Sequence, residues 1–174
     1  MTSLNALLIG MPHYLPQAYP EALRAEIGSK ARLFPDAING ADWKNHTTAL
    51  AEADVLFATW GTPKLDAEFL AAAPRLKAVF YAAGSVKGFA TPESYKRGIL
   101  ISSAWQANAI PVAEYSHATI LLGLKGFWSS QRVAQAGKFS HQHSPVAGAF
   151  HSNVGLVSLG AIGRLVAGHL AKHE

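Results

Sequence analysis

Near the carboxyl end of the chain, Ser158, Gly160 and Gly163 stand in the order S-x-G-x-x-G, between the apolar run Val154–Val157 and the helical stretch Arg164–Lys172. A strand that passes through such a turn into a helix offers a phosphate two things: the free N–H groups of the first helical turn and the positive end of the helix dipole. Small residues are needed for two reasons. One glycine lets the backbone approach a pyrophosphate, and another lets the helix pack against the strand. The usual pattern begins with glycine. Ser158 is still small and loses mainly conformational freedom there. The turn therefore marks Ser158, Gly160, Ala161, Ile162 and Gly163 as candidates for holding a dinucleotide phosphate, with a tight ligand-free connection as the plain alternative.

A second candidate is Ala83-Gly84-Ser85, which follows the apolar run Leu76–Tyr81. A glycine-containing turn at the carboxyl end of a strand presents N–H groups as an anion nest. Gly84 can equally do no more than end the strand. His141, His143 and His151 have a spacing that can ligate zinc. No Asp, Glu or Cys lies near enough in sequence to complete or orient that set, so the segment reads as a polar loop and no metal site is assigned. Glu114 and His117 are three apart and can face each other on a helix, but Glu114 reads as structural. Ser102-Ser103 and Ser129-Ser130 lack the G-x-S-x-G context of a nucleophile, and no glycine loop with lysine suggests a triphosphatase.

The elements that must position these residues alternate. Leu4–Ile9, Ala31–Phe34, Asp54–Thr59, Leu76–Tyr81 and Ile99–Ser102 are short apolar runs that read as strands. Glu21–Ile27, Asp42–Ala53, Asp66–Ala73 and Thr91–Arg97 carry helical spacing between them, and Met11–Pro20 reads as a proline-rich loop. Continuous apolar strands fit a parallel sheet covered on both faces, which makes residues 4–103 a doubly wound α/β layer. A long apolar helix is expected over 110–135, buried along much of its length. After it come a polar loop, a strand over Val154–Ser158 and a helix over Arg164–Lys172.

Composition sets the outer limits. In 174 residues, 49% are hydrophobic and 15% charged, enough apolar surface for a core. Cysteine is absent, which excludes disulfides and thiolate metal sites. No apolar run is long enough to span a membrane, and the start lacks the pattern of a secretory signal, so a soluble, cytoplasmic protein is expected. The net charge of +4 comes from scattered residues without a basic block, which argues against a nucleic-acid partner.

Three stretches, taken together and in order, resemble the D-isomer-specific 2-hydroxyacid dehydrogenase family. Leu76–Ser85 is similar to the family's strand and glycine loop beside the substrate. Asn108-Ala109-Ile110-Pro111-Val112-Ala113-Glu114 resembles its N-x-x-x-V-A-E. Val154–Arg164 resembles its V-G-I-x-G-x-G-x-I-G-R. The resemblance implies a flavodoxin-like parallel-sheet substrate domain over 1–103. It implies a crossing helix with the first βα unit of a Rossmann domain over 104–174, and a cleft between the two domains. It implies that N–H groups of Ala83, Gly84 and Ser85 hold a substrate carboxylate, that Val112 lies against the cofactor, and that the cofactor is NAD or NADP. The substrate would be a small 2-oxo or D-2-hydroxy acid, and the helix 110–135 would contribute to a homodimer. The family's catalytic arginine, carboxylate and histidine lie well downstream of the glycine turn, whereas this chain runs eleven residues past Gly163. The chain is therefore expected to be a fragment with no catalytic residue of its own and no activity. The competing expectation is a complete, non-enzymatic α/β module that binds a small anion or self-associates.

Overall fold

Every residue from Asn5 to Gly10 is buried, so this strand, β1, has no solvent face. Its alternate side chains feed two separate cores: Leu7 and Ile9 pack with Leu50, Leu56, Phe69 and Val79, while Ala6 and Leu8 pack with Leu15, Tyr19 and Ile27. This explains why the sequence shows a continuous apolar run rather than alternation.

The computed structural model describes residues 4–138 and 146–173. After β1 come α1 (Leu15–Ala18), α2 (Glu21–Lys30), β2 (Arg32–Leu33), β3 (Ile38–Asn39), a 3-10 turn over Gly40–His46, α3 (Thr47–Glu52), β4 (Val55–Ala58), α4 (Ala67–Ala72), β5 (Ala78–Tyr81), α5 (Pro92–Lys96) and β6 (Leu100–Ser103). Then follow α6 (Trp105–Leu124), α7 (Phe127–Gln135) and α8 (Ala161–Leu170). All strand pairs are parallel, in the order β2-β1-β4-β5-β6, with β3 beside the end of β1. With the two-residue β3 set aside, this is the flavodoxin-like order of doubly wound sheets.

The chain divides into two units, Met1–Trp105 and Gln106–Glu174. In the first, helix starts follow local capping. The Asp66 carboxylate accepts from the Phe69 N–H, and Thr91 and Ser94 close a reciprocal box at α5. Asp42 does not cap a helix as expected: Asn39 accepts from the Ala41 N–H instead, and the segment opens as a 3-10 turn before α3. The proline-rich stretch holds the short α1.

The second unit departs further from expectation. The helix expected over 110–135 is two helices. The first begins at Trp105 and carries Pro111 inside it, and the break falls at Gly126, whose φ is 69°. A Cβ there would meet Val146 Cγ1 at 2.4 Å, so only glycine fits both the angle and the space. The pair is also mostly exposed: only Ala109 and Ala113 are buried. No strand forms over 154–158. Exposure alternates there, with Val154 and Leu156 half-buried and Asn153, Gly155 and Val157 exposed. A strand exists only by exchanging hydrogen bonds with a neighbour, and among the described residues no segment pairs with this one. Among the described residues no helix is long and apolar enough to cross a membrane.

Candidate functional site

The first unit presents its candidate site at the carboxyl end of β5. There the chain bends through Ala82, Ala83 and Gly84. The Ala82 N–H donates to the Ala58 carbonyl at 2.8 Å, and the Ala104 N–H donates to the Tyr81 carbonyl at 2.9 Å. The Tyr19 hydroxyl donates to the Ala58 carbonyl at 2.8 Å and lies 3.1 Å from the Phe80 carbonyl. Burial pushes this phenol well above its ordinary pKa, so it is a neutral donor at any physiological pH. Ala83 is 1% exposed, Gly84 half-buried and Ser85 exposed, with the Ser85 Oγ accepting from the Lys87 N–H at 3.4 Å. Among the described residues, no hydrogen bond engages the N–H groups of Ala83, Gly84 or Ser85. Successive free N–H groups at the end of a strand are the raw material of an anion nest. The groove beside it, about 320 Å³, is lined by Tyr19, Phe57, Phe80, Ala82 and Ser102 and does not include the three nest residues.

The second unit holds the glycine turn. Gly160 is the N-cap of α8, in extended conformation, and no side chain caps the first turn. That turn contains no acidic residue. Arg164 bends back to donate from Nε to the Leu159 carbonyl at 2.8 Å. Ser158 has φ 77°, the left-handed region that favours glycine. A Cβ on Gly163 would lie 2.4 Å from the Ser158 carbonyl oxygen, whereas around Gly160 the nearest atom, Ser158 Oγ, is 4.0 Å from the Cβ position. The division of labour follows. Gly163 is needed for close packing, and Gly160 leaves the space beside the free N–H groups open. Ser158, Gly160, Ala161, Ile162 and Gly163 are therefore brought together at one helix end. Residues 154–158 lead into that turn without forming the expected strand. Val112, on α6, is 39% exposed and is not a core residue of that helix.

Among the described residues, no group of three His, Cys, Asp or Glu side chains is arranged to hold a metal ion. His141 and His143 lie outside the described residues; His151 is exposed, with φ 54°. His117 does not pair with Glu114. Its Nε2 instead lies 2.7 Å from Nε2 of His173. Sequence reasoning missed this contact, and also Tyr19, because neither partner pair is close in sequence or part of a periodic pattern.

Residues 29–167 match the D-isomer specific 2-hydroxyacid dehydrogenase catalytic domain. The chain belongs to this family. Within it, the D-3-phosphoglycerate dehydrogenase of Mycobacterium leprae is 34% identical over 140 residues, which are 77% of this chain and 25% of that protein. The Mycobacterium tuberculosis protein of the same name is 33% identical over the same length. Among solved structures, the D-lactate dehydrogenase from Aquifex aeolicus, complexed with NAD and lactic acid, superposes with a TM-score of 0.71. It is 24% identical, covering 97% of this chain and 48% of that one. A glyoxylate reductase from Paecilomyes thermophila gives 0.72 at 20% identity, covering 99% and 53%. The 2-hydroxyacid dehydrogenase fold is thus shared, and the chain spans about a quarter of the length of the curated relatives and about half that of the solved ones.

Proposed function

We propose that this chain supplies two binding elements of an NAD(P)-dependent oxidoreductase that interconverts 2-oxo acids and D-2-hydroxy acids. These are the carboxylate-binding loop and the dinucleotide-phosphate turn. The observation that carries the reading is two runs of unbonded backbone N–H groups in one chain of this family: those of Ala83–Ser85 and those at the start of α8. The Aquifex aeolicus enzyme, solved with NAD and lactic acid, supports it.

In this reading the N–H groups of Ala83, Gly84 and Ser85 hold the carboxylate common to oxidised and reduced substrate. They bind and orient, and they exchange no proton. Ser158, Gly160, Ala161, Ile162 and Gly163 hold the pyrophosphate, and Val112 offers an apolar surface to the cofactor. The fit rests on the open space at Gly160 and the uncapped N–H groups beside it. When bound, the nicotinamide gives or takes the hydride at C2 of the substrate. Proton transfer at the C2 oxygen needs a general acid–base, which the family resemblance assigns to a histidine with a carboxylate partner, beside an arginine, downstream of the turn. Residues 1–174 are therefore proposed to bind without turning over. The two helices replacing the expected helix 110–135 expose Tyr115, Phe127 and Trp128, which supports the proposal of a homodimer through this region.

The test is a titration of the chain with NADH, following nicotinamide fluorescence, beside an assay of hydride transfer to small 2-oxo acids. Saturable NADH binding is expected without turnover. Gly160→Asp should weaken it by at least about tenfold, because a carboxylate enters open space at the helix N-terminus and repels the phosphates. Equal binding by the variant would remove the phosphate role of the turn, and turnover by the 174 residues would place the proton-transfer groups within them.

A further inference from the structure

Three imidazoles gather in the second unit, one from α6 and two from the distant end of the chain, at and just past the end of α8. His117 on α6 meets His173, three residues past the end of α8, with their Nε2 atoms 2.7 Å apart. The ring of His169, on the last turn of α8, stacks on His117 with centroids 5.4 Å apart and planes 19° apart. Lys172 adds its charge from the same end of the helix. His151 and His173 both line one cavity of this unit. Glu114, one turn back on α6, is exposed, and among the described residues no ion pair joins any of these groups to a carboxylate.

A contact between two ring nitrogens needs one N–H and one lone pair. It therefore forms only while at least one of the two rings is neutral. We propose that the His117–His173 contact is a pH-sensitive latch, which ties the end of α8 to α6 when neutral and opens when both rings are protonated. With both protonated, two N–H donors face each other, His169 is stacked alongside, and Lys172 adds a further positive charge, while among the described residues no carboxylate pairs with any of these groups. Lost hydration of the half-buried ring, then the charges of His173, His169 and Lys172, hold His117 below its ordinary value of 6.5. An unfolded chain takes up that proton more readily than the folded one. The latch's contribution is thus full above about pH 6.5 and lost as the pH falls through the lowered folded value.

The hydrogen bonds to watch are those from the N–H groups of Ala171, Lys172 and His173 to the carbonyls of Ala167, His169 and Leu170. Their amide exchange would be measured in the whole chain at about pH 7.5 and about pH 5, corrected for intrinsic rates, with core amides of β5 as the internal reference. Protection is expected to fall about tenfold at the lower pH in the native sequence, and to show no pH difference in His117→Phe and His173→Gln. Equal protection at both pH values, or the same loss in both variants, would overturn the latch. Should the variants fail to fold, an imidazole titration of the native chain by NMR decides. Two separated, coupled steps at His117 and His173 support the latch, and independent ordinary titrations overturn it.

Discussion

Gly163 and Ser158 are locked to each other: a Cβ on Gly163 would stand 2.4 Å from the Ser158 carbonyl oxygen. The obstacle is backbone, so no side-chain rotation relieves it. Gly163→Ala must move the start of α8 or unwind it. A destabilisation of about 1–3 kcal/mol in the second unit is expected, the usual range for overpacking. Urea unfolding followed by helix circular dichroism measures this, and an unchanged midpoint would show that the turn is looser than described.

The other half of the same relationship predicts the opposite sign. Ser158 has φ 77°, an angle that costs a side-chain-bearing residue about 1–2 kcal/mol. Ser158→Gly removes that strain and adds chain entropy to the unfolded state, which offsets part of the gain. A net stabilisation of about 0.5–1 kcal/mol is expected. A loss of stability would mean that the serine hydroxyl makes a contact of greater worth than the strain.

Asp54 is the buried charge of the first unit. Its side chain is 2% exposed, and its carboxylate accepts from the Asn5 N–H, Arg75 and Lys77, each at 3.0 Å. Burial alone would raise its pKa, but the Asn5, Lys77 and Arg75 contacts outweigh it and hold the group below its ordinary 3.8. The sign follows: this stability is present above the ordinary value and is lost as the pH falls through the lowered folded value. Asp54→Asn is expected to cost about 2–3 kcal/mol at neutral pH, because the two cations are half-exposed and can rehydrate. The variant should also lose the acid-dependent part of the unfolding curve, which urea titrations at neutral and acid pH compare directly.

What could be read from the sequence, and what could not, follows from the range of each interaction. β1 and β4 were legible because a strand buried on both faces writes its environment into consecutive residues. β5 is buried except at Phe80, and β6, by turns exposed and half-buried, was legible only from its short apolar run before Ser102. The glycine turn was legible because its demands on Ser158, Gly160 and Gly163 are local. The strand expected over 154–158 was not a local property: its apolar residues are there, but the ladder partner is not among the described residues. Pro111 suits a helix start, yet it sits in the second turn of α6. Gly126, read as one residue in an apolar helix, carries the angle that divides it. The contact between His117 and His173 joins positions 56 apart, with no pattern between them.

Tyr19 shows how such a distant contact can matter to the candidate site. It comes from the proline-rich stretch after α1 and reaches the carbonyls of Ala58 and Phe80 at the ends of β4 and β5, just before the bend at Ala82–Gly84. The Ala58 carbonyl also accepts from the Ala82 N–H, so Tyr19→Phe leaves that acceptor satisfied. The expected cost is therefore only about 1 kcal/mol. The phenol's pKa lies above its ordinary 10.0 in the folded chain, so its contribution is full below that value and is lost as the pH rises through the raised one. Unfolding midpoints at neutral and strongly alkaline pH test both statements. The native chain should lose more stability with alkali than Tyr19→Phe, and parallel curves would mean that the hydroxyl is hydrated rather than locked. Amide protection at Ala82 and Ala104, whose N–H groups donate to the Ala58 and Tyr81 carbonyls, should fall in the variant while that of β1 is unchanged.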